Sequence, residues 1–106
     1  MTTPKIIADV IAAVNDGETE AFLDLFAQDG AVDDWGSIYR GRKEIKDWSD
    51  RELIGVKAHF TLRSVEQHGQ NLSMMVDVGG QGFTGPSRFA FTLADGRIHR
   101  MQITGS

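Results

Sequence analysis

Two adjacent carboxylates, Asp33 and Asp34, close a short apolar stretch and run straight into Trp35. Removing a proton beside a carbonyl needs a carboxylate that is ionised yet poorly solvated, and an indole next door supplies the apolar wall that strips water from it. Adjacent side chains of a strand point to opposite faces, so at most one of the two faces inward; the alternative for either is a strand-end or turn carboxylate in solvent. A third carboxylate, Asp77, interrupts the apolar run Met74-Met75-Val76-Asp77-Val78. The even positions of that run carry the apolar face, so the outward side is its default, and turned inward it would be a second pocket acid. Among the imidazoles, His59 opposes the Ala58/Phe60/Leu62 face, His68 falls in a turn, and His99 is in phase with Met101 and Ile103. No two histidines share a local ligand spacing, so no metal is expected. Arg88 sits opposite Phe89 and Phe91, where a surface salt bridge is the common fate. No serine stands in a Gly-x-Ser-x-Gly setting, and Gly79-Gly80-Gln81-Gly82 lacks the strand-to-helix context of a phosphate loop. No cofactor is expected.

These residues need elements to hold them. Ile6, Ile7, Val10, Ile11 and Val14 recur at helical spacing, with Pro4 suited to the first helical position and Thr3 to the cap. Asn15-Asp16-Gly17 ends that helix. Asp16 then caps a second one, whose apolar face runs through Ala21, Phe22, Leu25 and Phe26 to a stop at Gln28-Asp29-Gly30. Residues 31–35 read as a short strand, 36–41 as a loop, and 42–54 as a third helix with Ile45 and Trp48 inward and Gly55 as its cap. The second half alternates. Ala58, Phe60 and Leu62, then residues 72–78, then Phe89, Phe91 and Leu93, then residues 98–104 read as four antiparallel strands, with Ala94-Asp95-Gly96 as a hairpin turn and Gly85-Pro86 as a kink or an edge. Helices first and strands after argue for an α+β fold, with three helices packed over the concave face of a curved, mainly antiparallel sheet. Such a cone leaves an apolar mouth. Phe60, Phe89 and Phe91 on the strand faces, with Trp35, Tyr39 and Trp48 around the first strand and third helix, are the aromatic candidates to line it; Trp48 also fits the core by its spacing from Ile45.

The stretch Phe26-Ala27-Gln28-Asp29-Gly30-Ala31-Val32-Asp33-Asp34, then Gly41-Arg42-Lys43-Glu44-Ile45, then Phe89-Ala90-Phe91 and Asp95-Gly96-Arg97-Ile98-His99-Arg100-Met101-Gln102, resembles the nuclear transport factor 2-like superfamily in its SnoaL-like and ketosteroid-isomerase-like branch. The resemblance covers nearly the whole chain, residues 1–106 as one SnoaL-like domain. It implies that Asp34, at the end of Val32-Asp33-Asp34, is the general base. In the isomerases that base works beside an oxyanion hole of a tyrosine and a protonated aspartic acid. The stretch matching the tyrosine, residues 10–14, has no hydroxyl, and the second donor's place falls to Ser87, so steroid isomerisation itself is not implied. The resemblance also puts Met101 on the cavity wall, His99 at its rim, and a homodimer across the sheet. Limonene epoxide hydrolase chemistry needs an arginine two residues before a strand aspartate and a second aspartate near the C-terminus; Met75-Val76-Asp77 and the last strand supply one acid in all. SnoaL-type cyclases need only an acid in an apolar pocket, which Asp34 or Asp77 would meet.

Composition excludes other classes. Eleven basic against fifteen acidic residues give a net charge of −4, and the bases are scattered, so nucleic acid is not an expected partner. There is no cysteine, hence no disulfide or thiol nucleophile. No apolar run approaches a membrane span. Residues 1–5 lack the layout of a secretory signal, which points to the cytoplasm. Three functions stay open: an enzyme acting on a hydrophobic small molecule through Asp34, as an isomerase, cyclase or lyase; a noncatalytic binder of such a molecule; and a dimeric interaction module.

Overall fold

A computed structural model describes residues 3–105; Met1 and Thr2, which open the segment read for a secretory signal, lie outside it, as does Ser106. Helix α1 (Lys5–Asn15) buries Ile7, Val10, Ala13 and Val14. Its N-cap is Pro4 rather than Thr3, and no side chain caps it. Asp16 belongs to the C-terminus of α1 instead of starting the next helix; Glu18 does that, its carbonyl accepting the Phe22 N–H at 2.9 Å. Helix α2 (Thr19–Asp24) is shorter than its apolar pattern suggests, because Phe26 already begins strand β1 (Phe26–Asp34). Its ring still meets Phe22 edge-on, 5.3 Å between centroids. Period alone could not separate the two states for a residue buried in both.

The expected loop at 36–41 is mostly strand β2 (Ser37–Arg40). Trp35 (φ 53°) and Gly36 (φ 94°) form the turn between β1 and β2, two successive left-handed residues as a type I′ hairpin requires. Helix α3 (Gly41–Glu52) then buries Ile45, Trp48 and Ser49. It stops at Leu53, before the reach of its periodicity, and the chain tightens into a 3₁₀ turn, Ile54–Val56. Gly55 is no left-handed cap: it is a close approach, since a Cβ there would sit 1.7 Å from the Asp50 carbonyl oxygen.

Strands β3 (His59–His68), β4 (Asn71–Gly79), β5 (Gly85–Ala94) and β6 (Arg97–Gly105) complete one six-stranded sheet in the order β2-β1-β6-β5-β4-β3. All neighbours are antiparallel except β1 and β6, which run parallel. Pro86 stands next to Ser87, whose pair with Gly105 is the last β5–β6 pair among the described residues. Register breaks at Arg63 on β3 and at His99 on β6 bend the sheet. The helices cover its concave face. The core between them includes Val32, Met74, Val76, Phe91, Ile98 and Met101 with Trp48 and Phe22. Asn15, at the end of α1, clamps β3: its amide donates to the Phe60 carbonyl at 3.0 Å and accepts the Phe60 N–H at 2.7 Å. Among the described residues no helix is long and apolar enough to cross a membrane.

Candidate functional site

Asp34 ends β1 directly opposite Ile103 of β6, and Ile103 faces Phe89 of β5. One row across three strands therefore sets its direction, onto the concave face. There its Oδ2 accepts the indole N–H of Trp48 at 3.0 Å. Trp48 is 1% exposed, so the donor is held by α3 packing and does not wander. Asp33 points to the other face, yet it is the more buried acid of the two. Its Oδ1 accepts the Gly36 N–H at 2.8 Å, and its Oδ2 accepts from the Arg100 guanidinium at 2.5 Å. One carboxylate thus closes the β1–β2 turn and ties β1 to β6, which fixes the strand end that carries Asp34. The family resemblance had singled out Asp34; the structural role of Asp33 carried no sequence signal and comes from the sheet register.

Asp34 opens onto a cavity of about 80 Å³. Phe60 and Phe89, 5.0 Å apart at their centroids, form one wall. Ile103, Val78, Ala58 and Leu53 close most of the rest. Ser87 lines it too, 5% exposed and with its hydroxyl bonded to no other described group. Glu52, at the end of α3, and Phe83, 62% exposed, stand at the open side. A broader hollow of about 460 Å³ beside Leu62 and Val65 is more open and is lined by no buried polar group.

The other candidates fall elsewhere. Trp48 lies in the core behind Asp34. Tyr39 packs on Trp48, 6.2 Å between centroids, with the Arg51 guanidinium 5.6 Å above its ring. Phe91 and Met101 are buried deeper in the core, paired across β5 and β6, and do not line the cavity. Trp35 is 69% exposed on its turn, its ring edge over Gly105, outside the cavity. His99 is also outside: the break in register between Thr92 and Leu93 leaves it as the extra residue of a bulge, which flips it out of phase with Met101 and into solvent, 3.9 Å from Asp29. Asp77 takes the outward face and pairs with Arg63. An exposed pair contributes little. Asp77→Asn should therefore cost less than about 1 kcal/mol in urea unfolding and leave ligand binding unchanged.

Glu52 and Phe83 escaped the sequence reading. For Phe83 a signal existed: an aromatic residue in the glycine-rich stretch Gly79-Gly80-Gln81-Gly82-Phe83 has no strand face to pack on. For Glu52 there was none, because a charged residue at a helix end is ordinary.

An α+β fold of three helices over a curved, mostly antiparallel sheet is that of the nuclear transport factor 2-like, ketosteroid-isomerase-like class. The SnoaL-like domain matches residues 7–101, and the chain belongs to that family. No curated protein sequence matches it. Among solved structures it is similar to a candidate polyketide cyclase from Sinorhizobium meliloti (24% identity, 96% of this chain and 95% of that one, TM-score 0.84). It is also similar to a ketosteroid-isomerase-like protein from Catenulispora acidiphila in complex with trimethylamine (25% identity, 99% and 88%, TM-score 0.85). A third is SalBIII, an epoxide hydrolase/cyclase-like enzyme of pyran ring formation in the polyether salinomycin (16% identity, 96% and 88%, TM-score 0.85).

Proposed function

We propose that this chain is an acid–base enzyme of the cyclase or isomerase type, acting on a small, largely apolar carbonyl compound with Asp34 as general base. The observation that carries the reading is that a carboxylate and a hydroxyl, Asp34 and Ser87, line one largely apolar cavity. In the proposed step the Asp34 carboxylate takes a proton from the carbon next to the carbonyl. The C–H pair becomes the C=C bond of an enolate, and the carbonyl π pair moves to oxygen, where the Ser87 O–H donates to it. Asp34 then returns the proton to another carbon of a conjugated enolate, or the enolate carbon attacks a second carbonyl, whose π pair moves to its oxygen and takes the proton back from Asp34 as the ring closes. Trp48 keeps the carboxylate aimed. The cyclase-like neighbours support the reaction class, and the cavity's size supports a substrate of few atoms at the reacting end. Trimethylamine, held by the Catenulispora protein, is of that size.

The test is solvent-deuterium exchange at the α-carbons of small ketones such as acetone and cyclopentanone, followed by NMR. Acceleration by the wild type supports the reading; binding without acceleration would leave a noncatalytic binder, which the missing tyrosine-type donor on α1 favours.

The convex face presents Ile38, Ala90 and Met75 among polar neighbours, and family resemblance supports a homodimer there. Sedimentation equilibrium should return twice the chain mass; a monomer at micromolar concentration rejects it.

A further inference from the structure

The cavity's charge is one-sided. Two of its lining residues are carboxylates, half-buried Asp34 and exposed Glu52, and no lysine, arginine or histidine lines it. Neither enters an ion pair among the described residues, whereas Asp33, Asp47, Asp50 and Asp77 all do. Glu52 is also the last residue of α3, where unpaired helix carbonyls add negative potential and favour a cation. Arg51, in the same last turn, lies over the Tyr39 ring and not in the cavity.

The remaining surface suits a particular kind of cation. Phe60, Phe83 and Phe89 present phenyl rings, whose faces attract positive charge. Phe83, 62% exposed, lines the same cavity as Glu52. A bare ammonium would lose strong hydration on entering such a wall. An alkylated nitrogen spreads its charge over methyl groups that an aromatic wall desolvates cheaply. The Ser87 hydroxyl, which also lines the cavity, offers a polar contact to the ligand as well.

We propose that the substrate carries an alkylated ammonium group and that Glu52 and Phe83 form the subsite that receives it. This rests on the reading of the cavity as the substrate site. Asp34 and Ser87 meet the carbonyl at the deep end; at the mouth Glu52 pairs with the charge while the Phe83 ring covers the alkyl groups.

Two probes of the same shape isolate the charge: (2-oxopropyl)trimethylammonium and its uncharged carbon isostere, 4,4-dimethylpentan-2-one. Their Kd values are measured by NMR titration on the wild type, Glu52→Gln and Phe83→Leu. Both side chains are exposed, so the variants keep the fold. The wild type is expected to bind the cation about tenfold more tightly than the isostere. Glu52→Gln should remove most of that preference, leave the isostere's Kd within about twofold, and weaken the salt dependence of cation binding. Phe83→Leu, which keeps an apolar side chain, should remove part of the preference. Equal affinity for the two probes in the wild type overturns the proposal, and so does a preference undiminished in Glu52→Gln. Binding of the isostere alone overturns the ammonium subsite and leaves the cavity reading standing. Binding of neither overturns both.

Discussion

Asp34→Asn is expected to slow enzyme-catalysed α-proton exchange by about 10²–10⁴-fold, the usual contribution of a positioned general base. The substitution keeps the shape of the side chain, and its amide oxygen can still accept the Trp48 N–H that now meets Oδ2 at 3.0 Å. Folding stability should therefore change little, and a loss of rate cannot be ascribed to a collapsed site. Denaturant unfolding and exchange rates measured on the same samples separate the two. A well-folded Asp34→Asn that exchanges protons at the wild-type rate removes Asp34 as the base. The ammonium subsite would survive that outcome, because Glu52 and Phe83 act on binding.

Trp48→Ala should cost about 3–5 kcal/mol of unfolding free energy, the range for emptying a buried aromatic site. A domain of this kind has about 5–15 kcal/mol in all, so this one change takes a large share of it. The reason is position: Trp48 is 1% exposed, wedged between α3 and the sheet, and stacked on Tyr39. Trp48→Phe is the informative partner. It refills most of the volume but removes the indole N–H, so it should cost less stability while loosening the Asp34 carboxylate and lowering the exchange rate. Urea unfolding of both variants, with exchange rates for the phenylalanine one, checks this. A Trp48→Ala protein within about 1 kcal/mol of wild type would contradict the packing described, and a Trp48→Phe protein with unchanged exchange would show that the N–H does not aim the base.

The local chemistry of the chain made much of this legible. Ile7, Val10 and Val14 at helical spacing, and Phe89 and Phe91 in alternation, state their elements outright, because burial on one face imposes a period that few other arrangements share. The acid at the end of Val32-Asp33-Asp34 stood out by family resemblance, and alternation allowed at most one of the pair to turn inward. Where reading by period fell short, a non-local contact had intervened. Phe26 joined a strand because β6 lay ready to pair with it. Residues 37–40 became a strand because Trp35 and Gly36 could take left-handed backbone and return the chain against β1. His99 left the cavity side because one extra residue in β6 reverses the alternation at that point.

The site divides in the same way. The sequence by itself determined the family, the helices and most of the strands, and it named Asp34 as the candidate acid, since each depends on residues adjacent in the chain or repeated at a fixed spacing. The tertiary structure alone decided which aspartate is the structural tie, that Ser87 shares a cavity with Asp34, and that Glu52 and Phe83 stand at its mouth. Those four side chains come from β5, β1, the end of α3 and the β4–β5 connection, and only the register of the sheet and the packing of α3 upon it bring them within reach of one ligand.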